Sequence, residues 1–424
     1  MKSSVFNVFV PAKKGYALYN TLHQSVLFCD EELKTALQTN VNTIAPEYVP
    51  TLKQHGILVE NTADEYNMYT YNYNSTMCNT KEIQFVAVTT YKCNLQCPYC
   101  YEGKGEVYSQ DMDMKTAERI IKSMQNQIFQ KKSRYVTLIL FGGEPLLNLD
   151  VGLYIVNTMK EWCTTHQKLL RAFVITNGTL LPKKVSQLQG VINGIQLTFD
   201  GSKQYHNTTR IYKNGKGTYN DVINAMETAL DFGMKVSLRI QINKENYADI
   251  HNLFDDIAPY IKTKNVSINI APLSRYSSMC TNYSSHFLKK EEKEAVLPTM
   301  LKYTQNIKPV PHYVPCIAYT NNIIFDGSGN VYSCITTVGE DTRSGHVTDT
   351  GIKWEPELYQ FMGRNPLKIP ECKTCAFLPL CGGGCPRTAY LTHGTYNSHV
   401  CGGSKSVYKA VVTEYAKRKY PDRF

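Results

Sequence analysis

The chain has 424 residues, 42% of them hydrophobic, with 26 Gly and 18 Pro; this is the composition of a packed globular protein with room for two or three domains, and it excludes a disordered or fibrous chain. The net charge of +10 is spread along the sequence, so it leaves no footprint for nucleic acid, and the densest cluster, Lys417, Arg418 and Lys419, reads as a solvated helix end. No apolar run approaches about eighteen residues and residues 1–9 hold no long apolar core, so neither a membrane span nor a signal peptide is expected and the expected compartment is the cytoplasm.

Short extended runs at 6–10, 16–19 and 25–28, broken by Pro11 and Gly15, predict a small antiparallel sheet. Leu33 with Leu37, and Val49 with Leu52, place apolar side chains four and three residues apart, as in short helices, and Gly56 stops the second before a strand at 57–59. The polar, tyrosine-rich stretch 61–80 reads as a linker. Beyond it, strand patterns at 83–90, 136–141, 172–176, 194–199, 235–242 and 266–272 alternate with helical patterns at 115–130, 151–166, 183–188, 219–233 and 247–260. Six β-α units of this kind predict an α/β fold, a partial (β/α)6 TIM-type barrel with its chemistry at the C-terminal ends of the strands.

The cysteines carry the chemistry. In a reducing compartment fourteen of them are poor candidates for disulfides, so those in tight groups read as metal ligands, whereas Cys29, Cys78, Cys163 and Cys280 stand outside the groups. Cys93, Cys97 and Cys100 follow the first barrel strand as Cys-x3-Cys-x2-Cys, three thiolates where a cubane iron–sulfur cluster takes four; one iron is left to chelate a small molecule. The alternative is zinc, which usually pairs thiolates as Cys-x2-Cys and needs a fourth ligand.

Gly142-Gly143-Glu144-Pro145 follows the second strand, Thr176-Asn177-Gly178 the third, and Asp200-Gly201, His206, Arg210 and Gly217-Thr218-Tyr219 the fourth. Arg239 on the fifth strand has the planar fork that clamps a carboxylate, or else closes an ion pair within the barrel. The last quarter holds Cys316, Gly329 ahead of Cys334, then Cys372-x2-Cys375-x5-Cys381-x3-Cys385, then Cys401.

These residues, with Tyr99 just before Cys100, resemble the radical S-adenosylmethionine (SAM) enzymes that carry a cysteine-rich SPASM extension, specifically the maturases of ribosomally synthesised peptides. The resemblance implies a winged-helix-like leader-recognition module over 1–80, the radical SAM partial barrel over 81–306 and the SPASM domain over 307–424. It implies three [4Fe–4S] clusters: a catalytic one on Cys93, Cys97 and Cys100, a second auxiliary one on Cys372, Cys375, Cys381 and Cys401, and a first auxiliary one on Cys316, Cys334 and Cys385. The fourth ligand of the last is Cys280, or an iron is open. Two zinc ribbons are the alternative for this region.

SAM contacts are implied for Tyr99, Gly142, Gly143, Glu144, Pro145, Thr176, Asn177 and Arg239. The implied partners are a precursor peptide with a leader sequence and a flavodoxin- or ferredoxin-type electron donor, with no nucleic acid and no membrane. The implied reaction is hydrogen-atom abstraction and crosslinking, foremost to a thioether as in sactipeptides or ranthipeptides, otherwise to a carbon–carbon or carbon–oxygen bond as in cyclophanes. Anaerobic sulfatase-maturing enzymes share the fold, but their aspartate base directly follows the cysteine matched by Cys334, where this chain has Ile335. A non-catalytic, zinc-bearing peptide-binding scaffold is the reading from another class.

Overall fold

The computed structural model describes residues 1–100, 110–273, 283, 285–340, 342–401 and 404–424. Cys280 lies outside them. The chain forms two compact units, one of Met1–Cys78, Lys293–Tyr319 and Gly363–Phe424, the other of Asn79–Glu292 and Thr320–Met362. The boundaries expected at 80/81 and 306/307 run once along the chain, whereas these units exchange segments.

The first unit starts with β1 (Lys2–Ser3) and a meander of β2 (Asn7–Pro11), β3 (Tyr16–Asn20) and β4 (Ser25–Cys29), in the order β2-β3-β4. Helix α1 (Glu31–Thr39) begins at Asp30, whose carboxylate accepts from the Leu33 amide, α2 (Val49–Gln54) follows, and β5 (Leu58–Val59) pairs antiparallel with β1. Alternation along β3 sends its side chains to two cores. Leu18 packs with Leu37, Leu52 and Ile57; its neighbours Ala17 and Tyr19 join Val8 and Val10 against Leu380, Val412 and Ala416, so the two ends of the chain share one apolar core.

The stretch expected to be a linker is instead a helix, α3 (Glu65–Met77), capped by Asp64 through the Asn67 amide. Tyr69 and Tyr73, four residues apart, are buried on one face, and their hydroxyls donate to the carbonyls of Tyr313 (2.6 Å) and Arg364 (2.8 Å). A tyrosine buries an apolar ring and keeps a polar tip, so a stretch counted as polar by composition still supplied a packing face.

In the second unit, β6 (Glu82–Thr90), β7 (Tyr135–Gly142), β8 (Leu169–Ile175), β9 (Gly194–Phe199), β10 (Lys235–Ile242) and β11 (Val266–Pro272) lie parallel, each beside its sequence neighbour. The helices α4 (Met114–Lys131), α5 (Leu149–Thr165), α6 (Leu181–Leu188), α8 (Tyr219–Asp231) and α9 (Ile250–Ile261) fall where the apolar spacing predicted them; α7 (Lys203–Thr209), too short for a periodic signal, was not anticipated. This is the partial (β/α)6 barrel. On the other side of β6, β12 (Asn322–Phe325) adds in parallel and β13 (Asn330–Tyr332), β14 (Gly345–Thr348) and β15 (Gly351–Trp354) continue antiparallel.

Candidate active site

A register shift between Val88 and Thr90 ends β6 and turns the chain into the loop that carries Cys93, Cys97 and Cys100. The Gly-Gly turn after β7 lies against this loop: Gly143 N donates to Thr90 O (3.0 Å) and Glu144 N to Lys92 O (2.9 Å). A Cβ at position 143 would come within 2.5 Å of the Tyr91 and Lys92 carbonyls, so only glycine permits the approach. From the next strand, the Asn177 amide reaches the Cys93 sulfur at 3.7 Å and Asn94 Oδ1 at 2.9 Å.

The three cysteines open into one cavity of about 340 Å³ at the C-terminal ends of the strands. Tyr99, Gly142, Gly143, Thr176, Asn177 and Arg239 line it as well, whereas Glu144 and Pro145 do not. Glu144 is fully buried behind the wall, accepting from Leu146 N (3.0 Å), Thr176 Oγ1 (2.7 Å) and Asn177 N (2.8 Å); burial raises its pKa, against the pull of these bonds. It holds the Gly-Gly turn to the Thr176–Asn177 loop.

The cavity also takes in Gln196, Thr198, Arg210 and Gln241, which motif reading had not assigned to the cofactor. The signal was present in the strands: 196 and 198 on β9, and 239 and 241 on β10, share a face by alternation. With the Gln241 amide oriented to satisfy both ends, its oxygen accepts from Arg239 Nε at 3.3 Å.

Behind the cysteines lies a buried charged group. Asp200 accepts from the Tyr99 hydroxyl and from Thr209 Oγ1 (2.7 Å), while Arg210 Nη1 donates to the Tyr99 oxygen at 3.0 Å and stands 4.0 Å from Asp200 Oδ1. Burial lifts the Asp200 pKa, and the Arg210 charge opposes that rise. His206 braces both residues. Its Nδ1 accepts from Asp200 N (3.3 Å), and its Nε2 stands 3.1 Å from Thr218 Oγ1, whose own proton goes to Arg210 O (2.7 Å); the ring is therefore the neutral Nε2–H tautomer. Burial pushes the Cys97 thiol up to about 12, so the cysteines give up protons when they bind metal.

In the other unit, Cys372, Cys375, Cys381 and Cys401 line a single small cavity with Gly383 and Gly384. Gly382, Gly383 and Gly384 have φ of +59°, +89° and +78°, and this left-handed run aims the amides of Gly383 and Gly384 at the Cys381 sulfur, a concave nest of donors. Four thiols around one cavity, with amides turned to sulfur, fit a four-cysteine cluster. Cys385 is exposed ahead of the helix Pro386–His393, Cys316 is exposed ahead of the turn Ile317–Tyr319, and Cys334 follows β13 with its sulfur 3.2 Å from Thr336 Oγ1. Among the described residues no three His, Cys, Asp or Glu side chains converge to hold one metal ion; a cubane makes a different demand, each thiolate binding its own iron.

Residues 87–257 match the Radical SAM superfamily, so the barrel unit carries a radical SAM domain, and the chain is an enzyme whose cofactors are SAM and [4Fe–4S] clusters. Among curated relatives it is 20% identical, over 361 residues, to a cysteine-type anaerobic sulfatase-maturating enzyme of Clostridium novyi, covering 76% of this chain and 93% of that protein. Among solved structures it is similar to native anSMEcpe with bound AdoMet and the Kp18Cys peptide, at 19% identity and TM-score 0.58, covering 80% of this chain and 98% of that one. It is also similar to Streptococcus suis SuiB bound to the precursor peptide SuiA, at 15% identity and TM-score 0.51, covering 94% of this chain and 98% of that one. At these identities the structural likeness speaks for the fold alone.

Proposed function

We propose that this enzyme modifies a ribosomally made precursor peptide, removing a hydrogen atom from an unactivated carbon and closing a crosslink, foremost a thioether to a cysteine sulfur. Bound in the cavity, the cluster on Cys93, Cys97 and Cys100 and SAM would together supply a primary carbon radical. The residues proposed to hold SAM are Tyr99, Gly142, Gly143, Thr176, Asn177 and Arg239, with Glu144 acting from behind. Leu95, Phe141, Ile175, Leu273 and Ile335 give the same cavity an apolar wall that keeps water from a reactive carbon.

Ile335 carries the choice of reaction. It lines the cavity and has no group to accept a proton, whereas formylglycine formation in the sulfatase-maturing enzymes is expected to use an aspartate at the matching place. That favours crosslinking. A thioether removes two hydrogens from the peptide: one leaves as a hydrogen atom, the thiol proton goes to solvent, and one electron passes on. The proposed acceptors are auxiliary clusters on Cys372, Cys375, Cys381 and Cys401 and on Cys316, Cys334 and Cys385.

Two of the similar solved structures hold peptides, the SuiA precursor with SuiB and Kp18Cys with anSMEcpe. For this chain, β4 is an edge of its three-stranded sheet, and a groove beside it lined by Leu27, Ala36, Ile44 and Leu52 suits a leader segment added as a strand. No described helix is long and apolar enough to cross a membrane, and a cytoplasmic enzyme served by a flavodoxin- or ferredoxin-type reductant completes the proposal.

The test is product mass spectrometry on a short precursor peptide encoded beside the gene. A loss of two hydrogens with cysteines that then resist alkylation is the expected result. The same mass loss with every cysteine free would replace the thioether by a carbon–carbon or carbon–oxygen bond, and conversion of a cysteine or serine to formylglycine would overturn the reading.

A further inference from the structure

Arg364 is among the largest fully buried side chains, with only 1% of its surface exposed. A guanidinium stays charged in any protein environment, so burial at this depth calls for an anion nearby. What surrounds it instead is carbonyl oxygen: Nε donates to Tyr396 O (2.7 Å), and Nη2 donates to Gly383 O and to Ser398 O (3.2 Å). Among the described residues Nη1 is buried with no hydrogen-bond partner. A Cβ built on Gly383 would lie 3.0 Å from this Nη1, and Gly383 is part of the wall shared with Cys372, Cys375, Cys381 and Cys401. The unpaired end of the cation thus stands behind Gly383, one residue from the four-cysteine cavity.

We infer that Arg364 is the internal counter-ion of the cluster held by Cys372, Cys375, Cys381 and Cys401 and sets its reduction potential; this rests on the proposal that those four thiolates bind a [4Fe–4S] cluster. Four thiolates on an oxidised cubane leave a net negative charge, and reduction adds one more. A fixed cation at the cavity wall favours the more negative, reduced form and raises the potential, making the cluster a better acceptor for the electron released on crosslinking.

The experiment is an EPR-monitored redox titration of the reconstituted full-length protein and of Arg364→Gln, Arg364→Lys and Arg364→Met. Arg364→Gln and Arg364→Met are expected to lower the midpoint of one cluster by at least a tenfold change in its oxidised-to-reduced ratio, about 59 mV for one electron, leaving the others in place. Arg364→Lys keeps the charge and is expected to keep the midpoint. Should Arg364→Met fail to fold, the Lys and Gln pair still separates charge from packing. Midpoints unmoved in an iron-replete Arg364→Gln protein would overturn the inference and leave Arg364 a clamp for three carbonyls. Joint replacement of Cys372, Cys375, Cys381 and Cys401 by Ser is run in parallel: an undiminished iron count would overturn the ligand assignment itself and this inference with it, whereas lost iron alongside an unmoved Arg364→Gln midpoint would overturn the counter-ion alone.

Discussion

Two arginines, each buried at a cysteine-lined cavity, are held in opposite ways. Arg210 in the barrel unit has a carboxylate, Asp200, within 4.0 Å and the Tyr99 oxygen within 3.0 Å; among the described residues Arg364 in the other unit meets only carbonyls and keeps one nitrogen unpaired. Removing a charge from water is costly, and the partner that offsets the cost shows what the site was built to contain. The barrel's cation is neutralised within the protein, which suits a cavity that must admit and release a charged small molecule. On the counter-ion inference, the four-cysteine site keeps its cation for something anionic that stays.

The same contrast extends to construction. The barrel unit holds Cys93, Cys97 and Cys100 on a loop that leaves a sheet running nearly in sequence order, whereas the other unit packs Val8, Val10, Ala17 and Tyr19 against Leu380, Val412 and Ala416 from the far end of the chain. Deleting residues 1–78 should therefore have the largest effect of any change considered. Each buried apolar side chain lost contributes about 1.5–3 kcal/mol against a total stability of about 5–15 kcal/mol. The truncated protein is expected to lose the iron proposed for Cys372, Cys375, Cys381 and Cys401 while the barrel still melts cooperatively, as read by iron analysis and calorimetry. Full iron after truncation would show that the two ends of the chain are independent, and would make the deletion a clean assay of leader recognition.

Arg210→Met sharpens the comparison of the two arginines. It strands the Asp200 carboxylate, which is 2% exposed and loses the one cation beside it among the described residues, and should cost about 3–5 kcal/mol in urea unfolding of the barrel. Adding Asp200→Asn should recover part of that loss, because the second change removes the uncompensated charge. A double variant no more stable than Arg210→Met would mean that the two residues are not coupled.

How far the sequence could be read depended on what each residue's neighbours were. The barrel strands and helices repeat a local period, so 194–199, 235–242 and 266–272 coincide with β9, β10 and β11 to the residue. The cysteine spacings, a property of adjacent positions, placed Cys93, Cys97 and Cys100 on one cavity and Cys372, Cys375, Cys381 and Cys401 on another. Helix α3 was missed because its buried face is made of tyrosines, which count as polar until their hydroxyls are seen to find carbonyls at Tyr313 and Arg364. Arg364 was invisible for a stronger reason. Its meaning lies in three carbonyls between 19 and 34 residues away and one missing partner, none of which has a sequence signature.

Glu144 lies between these cases, found by its motif but expected in direct contact with SAM. With three donors on its two oxygens, Glu144→Gln must turn an NH2 toward at least one amide or hydroxyl hydrogen, losing about 1.5–3 kcal/mol for a charged hydrogen bond. The Thr176–Asn177 loop should loosen, and the KM for SAM in 5′-deoxyadenosine formation should rise several-fold while the iron content is kept. An unchanged KM would separate Glu144 from the cofactor altogether.

The smallest expected effect is a pH dependence confined to the barrel. His206 is fully buried, and desolvation, aided by the Arg210 charge, holds its pKa well below 6.5. The unfolded chain has no such constraint and takes up a proton on this imidazole near pH 6.5. Below that pH the unfolded state binds more protons than the folded state, so stability is fully present above about 6.5 and falls as the pH drops toward the depressed folded value, by about 1.4 kcal/mol per unit. Urea midpoints of the barrel at pH 7.5 and 5.5 should differ accordingly. His206→Gln can still offer an acceptor to Asp200 N and a donor to Thr218 without titrating, so it should lose this part of the pH slope whatever it costs in absolute stability. An equal slope in both proteins would move the acid sensitivity to another group, Asp200 and Glu144 being excluded by sign: burial raises their pKa values, so they bind protons more readily folded than unfolded and would stabilise the barrel as the pH falls.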